Sequence, residues 1–135
     1  MILRAFVLFE FGVAFWLPAM FLFYGVFFGW YTIYAGLVMG DYLGSAAALF
    51  CLVGGLLGFR IASQLLVTFL RPEISILGLR AMLIQLSVGI LALALFFPVA
   101  SDVLPAPFLP FLVLPIPVVG HLAYLNRRFV WSAPD

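Results

Sequence analysis

Three sets of residues in this sequence have types and spacings that could do chemistry. The first is polar groups embedded in long apolar runs: Glu10, Gln85 and His121. An ionisable side chain inside a membrane span is costly, and it usually faces a partner or a cavity. Glu10 reads as a proton- or cation-linked carboxylate or as a contact for a substrate head group. It also reads as half of an ion pair near an interface, with Arg80 or Arg127 as partner, because it lies only ~9 Å past Arg4 at 1.5 Å per residue. His121 reads as a hydrogen-bonded packing residue. The second set is Arg60, Arg80, Asn126, Arg127 and Arg128, with Gln64 and Gln85 beside them. Guanidinium forks match phosphate oxygens, so such a cluster at head-group depth suits an anionic lipid or a lipid-linked phosphate. The plainer reading is that these arginines only fix topology. The third set is Gly36-x3-Gly40-x3-Gly44, continued by Ala48. Small residues at that spacing let helices approach closely, either toward a second copy or partner or within one bundle.

Several kinds of chemistry are not expected. The chain has one His and one Cys, too few for a four-ligand zinc site, and an internal disulfide is impossible. Haem would find no second axial ligand but methionine. No nucleophile–base arrangement is visible, so no enzyme is expected. Gly54-Gly55-x-x-Gly58 lies in an apolar run and reads as packing rather than as a nucleotide loop. A formal net charge of +1 leaves no electrostatic footprint for nucleic acid.

The elements that must position these residues follow from composition. Of 135 residues, 67% are hydrophobic, 8% charged and 18% aromatic, with a mean hydropathy of +1.32. A soluble domain is about 45–50% apolar and about 25% charged. A small fold buries only about two-thirds of its surface, so the excess must face lipid. The apolar runs are continuous rather than alternating, which selects helices over a membrane barrel. The expected fold is an all-α polytopic bundle of four transmembrane helices, one membrane domain over 1–135. The spans are placed at about 5–29, 42–59 or longer, 80–100 and 111–125. Pro18 should kink the first, and Pro115 and Pro117 should break the fourth. Asp41 reads as a helix N-cap, and Arg71-Pro72-Glu73 as a helix end. Residues 27–41 are open between loop, re-entrant segment and helix. The start Met1-Ile2-Leu3-Arg4 imitates a signal peptide but reads as the beginning of a retained first helix.

Topology comes from the arginines. All six basic residues are arginine, and with four spans they fall on one side while Asp41 and Asp102 fall on the other. The positive-inside rule then places both termini in the cytoplasm. Arg4-Ala5-Phe6-Val7-Leu8 is echoed by Arg80-Ala81-Met82-Leu83-Ile84. That echo reads as a duplication of helical hairpins or as chance.

The tail His121-Leu-Ala-Tyr-Leu-Asn126-Arg127-Arg128-Phe129-Val130-Trp131 resembles the end of GtrA-like membrane proteins. Arg80 with Gln85 and Gly89, and Arg4-x-Phe6 with Gly12, resemble that family's helix starts. The second span departs from it, ending Phe59-Arg60-Ile-Ala-Ser-Gln64 without an Asn. The resemblance implies a four-helix protein of the bacterial cytoplasmic membrane, and so short a chain, burying few side chains, is expected to be a homo-oligomer or part of a larger complex. It also implies a role in moving polyprenyl-phosphate-linked sugars for cell-surface polysaccharide, with no cofactor. Two other functions fit the residues: a non-catalytic accessory subunit of a membrane complex, and an immunity protein against a pore-forming toxin.

Overall fold

The computed structural model describes residues 2–71 and 78–128. The Pro72–Glu73 stop and the Phe129–Trp131 tail lie outside them. The described residues form helices and turns, with no strand. α1 is Ile2–Met39, α2 is Tyr42–Leu70 and α3 is Leu79–Val103. A 3-10 turn at Ala106–Phe108 leads into α4 (Leu109–Val113) and α5 (Pro115–Leu125). Four segments are long and apolar enough to cross a membrane: Ile2–Val38, Tyr42–Leu70, Arg80–Asp102 and Ala106–Leu125. This is the multi-pass helical architecture that composition demands. Only 11–28% of each span's most apolar window is buried inside the bundle, so lipid must cover the rest.

The first helix is longer than the expected 5–29. Residues 27–39 are neither loop nor re-entrant; they continue α1 without a break, and α1 also runs on through Pro18. At 1.5 Å per residue α1 is ~57 Å long. That exceeds a hydrocarbon core of ~30 Å, so α1 tilts or reaches into the head-group layer.

Its end is set by local chemistry. Gly40 has φ +80, the left-handed conformation that glycine adopts without a Cβ penalty. The Asp41 N–H donates to Gly36 O at 2.8 Å, and the Gly40 N–H to Leu37 O at 3.3 Å. This pair of bonds is a Schellman cap. Asp41 at once begins the next helix, its Oδ1 accepting the Gly44 N–H at 2.9 Å.

The Gly36–Gly40–Gly44 spacing is therefore not a stripe on one helix. Gly36 belongs to α1, Gly40 to the turn and Gly44 to α2. A Cβ at Gly36 would overlap the Ser45 hydroxyl, and one at Gly44 the Asp41 carboxylate. Gly36 and Gly44 make room at the corner between α1 and α2, a packing role within the bundle.

Close helix packing occurs elsewhere, between antiparallel α2 and α3. A Cβ on Gly89 would come within 2.8 Å of Gly58 Cα, and one on Gly54 within 2.6 Å of the Ala92 Cβ. The backbones touch there, as small residues allow. α1 lies antiparallel to α2 with Phe15 against Phe59, ring centroids 5.8 Å apart. The fourth span is broken as its prolines require: the helix is interrupted at Leu114, and Pro115 occupies the first position of α5.

Candidate functional site

Helix directions bring the helix ends nearest Arg4, Arg71, Arg80, Arg127 and Arg128 to one end of the bundle, called here the basic end. Asp41 and Asp102 mark the other. The Asn126 amide donates to Leu65 O and to Leu122 O, both at 2.9 Å, which fixes the end of α5 beside α2. Gly58 opposite Gly89 sets α2 against α3, and Phe11 beside Phe59 sets α1 against α2. From these three registers, Glu10, His121, Gln85 and Gln64 fall in one slab ~6 Å deep, roughly 9–15 Å inside the basic end of α2. With α2 centred in the bilayer, the slab lies within the hydrocarbon core near its basic-side edge.

Glu10 on α1 and His121 on α5 meet across the bundle. His121 Nδ1 is 2.9 Å from Glu10 Oε2 and 3.1 Å from Oε1. The side chains are 36% and 26% exposed, respectively. Among the described residues the partner of Glu10 is His121, where the sequence offered Arg80 or Arg127. Arg127 instead sits over the Tyr124 ring, 4.4 Å from its centroid. The Oε1 atoms of Gln64 and Gln85 are buried and accept no hydrogen bond. An unpaired buried acceptor costs about 1–3 kcal/mol, and neither oxygen has surface open to a molecule outside the chain.

The proposed phosphate cluster is not assembled as expected. Asn126 is 1% exposed, and its amide protons are committed to helix carbonyls, so it pins α5 and is closed to a head group. Arg60 is exposed but stands ten residues before the end of α2, ~15 Å deep. Ile61, Ala62 and Leu65 on α2 turn inward, and the 3.6-residue period carries Arg60 to the opposite side. Among the described residues Arg60 has no ion-pair partner. Arg80, Arg127 and Arg128 are exposed at the basic end. No group of three potential metal ligands occurs among the described residues.

Toward the acidic end, a lateral groove of about 720 Å³ lies between α1, α2, α3 and the fourth span. Its walls are apolar and rich in small residues, among them Gly29, Gly55, Gly89 and Gly120. The groove runs along α2 from Gly44 to Phe59, ~22 Å at 1.5 Å per residue. Its lower edge is marked by Phe59, Leu86 and Gly120; Gln85 and His121, next to two of them in sequence, are not among its lining residues. Sequence reading missed the groove, although its signal was present as glycines on all four spans.

Compared with family models, with curated proteins and with solved structures, the chain gives no match.

Proposed function

We propose that this chain takes part in moving a polyprenyl-phosphate-linked sugar across the bilayer for cell-surface polysaccharide, as its resemblance to GtrA-like proteins implies. The observation that carries the reading is the polar slab. Glu10 pairs with His121 at 2.9 Å, and both side chains stay partly exposed at a depth where ionisable groups usually face a partner or a cavity. A sugar supplies hydroxyl groups that can bond such a pair. The exposed arginines of the basic end suit the phosphate, and the positive-inside rule turns that end toward the cytoplasm.

The test is surface glycan in the source cell. Glu10→Ala with His121→Ala should lower it at least tenfold while the protein still inserts, and Arg127→Gln with Arg128→Gln should lower it several-fold. Unchanged glycan in both variants sinks the reading. Arg60 favours a second reading, an accessory subunit of a larger complex. An exposed, unpaired arginine at this depth suits an acidic residue on a neighbouring helix. In that case Arg60→Leu would release a stoichiometric partner on gentle purification and leave glycan untouched.

A further inference from the structure

We infer that a second copy of this chain docks in the bilayer with its Arg60 on the Glu10–His121 pair, so that the site is completed between two copies. The inference needs no cargo and stands apart from the transport reading.

Charge and depth select the partner. Arg60 is exposed and, among the described residues, has no ion-pair partner. It stands ~15 Å inside the basic end of α2, roughly 8 Å below the hydrocarbon edge when α2 is centred in the bilayer. A charged side chain at such a depth usually pairs with an opposite charge. Among the described residues the acids are Glu10, Asp41 and Asp102. Asp41 lies ~28 Å from Arg60 along α2 at 1.5 Å per residue, and Asp102 marks the same acidic end. Glu10 lies level with Arg60 by two independent registers. The Phe11 and Phe59 rings have centroids 6.4 Å apart, and Glu10 and Arg60 are their neighbours in sequence. The Asn126 amide bonds Leu65 O, and α2 and α5 both run toward the basic end. Five residues back along each helix from that bond stand His121 and Arg60.

Within one chain the two charges do not meet. The Glu10 carboxylate turns to His121 on α5. Arg60 lies on the lipid-facing side of α2 with Leu49, Val53, Leu56 and Val67, all exposed. A closed oligomer in a bilayer has its axis along the membrane normal, and rotation about that axis preserves depth. Arg60 of one copy therefore reaches a neighbour at the level of Glu10 and far from Asp41 and Asp102.

The pair can receive a guanidinium. An imidazole donating from Nδ1 leaves the carboxylate its charge and further acceptor sites, and both side chains are partly exposed. An arginine fork matches such a carboxylate. Phe6, one turn before Glu10, and Tyr124, one turn after His121, are exposed apolar shoulders. With the α2 stripe opposite, they close an apolar rim around a central charged contact.

Two differently tagged copies, co-expressed in a bacterial membrane and captured by one tag in mild detergent, test this. Wild-type copies should co-purify. Arg60→Glu in both copies, or Glu10→Arg in both, should cut co-purification about tenfold, because like charges then face each other. One copy of each kind should restore it to within about twofold of wild type, since both contacts are again opposite in sign. A folding defect cannot give that rescue. If a reversed variant melts below wild type, Arg60→Met and Glu10→Gln take its place, and each should lower co-purification about fivefold at unchanged midpoint. Wild-type copies that do not co-purify, single variants as associated as wild type, or reversed copies that fail to rescue each other would overturn the inference. Solitary copies from which Arg60→Met releases a different protein would assign Arg60 to a foreign subunit. Solitary copies with no such protein would leave Arg60 reaching up to lipid phosphate. Either outcome sinks the proposal.

Discussion

Glu10 and His121 are 111 residues apart in sequence and 2.9 Å apart in space. The pair joins the first helix to the last, and each residue makes the other tolerable in an apolar setting. His121→Leu should therefore destabilise the bundle by leaving the Glu10 carboxylate without its partner. The expected loss is ~1–2 kcal/mol, discounted because a quarter to a third of each side chain is exposed. Glu10→Leu combined with His121→Leu should recover most of that loss, since two apolar groups replace a desolvated pair. Unfolding midpoints in micelles measure the cycle, and additive single effects would show that the pair is not coupled. Asn126 belongs to this scale too. Its type and its place beside Arg127 and Arg128 suggest a surface cluster, yet the chain turns it inward, where it bonds two carbonyls. The sequence names its chemistry but not the direction it faces.

At the scale of elements, glycines decide where helices end and how closely they lie. Asp41 was legible as a cap because Asp before a long apolar run is a local signal. Gly40 is ambiguous in sequence because two rules share one residue type: small residues at four-residue spacing pack helices, while a single glycine with positive φ ends one. Local hydrogen bonds settled that contest, through the bonds of Asp41 to Gly36 and of Gly40 to Leu37. A graded series follows. Gly12→Ala, with nothing within 4 Å, should be neutral or slightly stabilising. Gly40→Ala should cost ~1–2 kcal/mol through left-handed strain. Gly89→Val should cost ~1–3 kcal/mol or more, because the new Cβ meets the Gly58 backbone at 2.8 Å, which no rotamer change relieves. Denaturation in micelles ranks the three, and a Gly89→Val protein as stable as wild type would refute the α2–α3 contact.

At the scale of the whole molecule, the bundle is a lipid-facing scaffold with two internal features: a groove, and a polar slab at its lower edge. Orientation is the property most easily tested. In a Cys51→Ser background, Ile2→Cys should react with an impermeant thiol reagent only after the cytoplasmic membrane is permeabilised. Tyr42→Cys and Ala106→Cys should react without that step. The opposite pattern would invert the positive-inside assignment, and with it the side from which a phosphate approaches.

The sequence by itself determined the solvent and the class of fold. Its 67% apolar content with 8% charge admits only lipid-facing helices, because the backbone must satisfy itself there. Breaks at Asp41 and Pro115 were likewise readable, since capping and missing N–H groups act over a few residues. Tertiary structure alone decided which polar groups meet. The join of Glu10 to His121, the inward turn of Asn126, the outward face of Arg60 and the groove above the slab all depend on helix register. Register is set by steric contact between distant segments, Gly58 on Gly89 above all, and no local pattern of residue types carries that information.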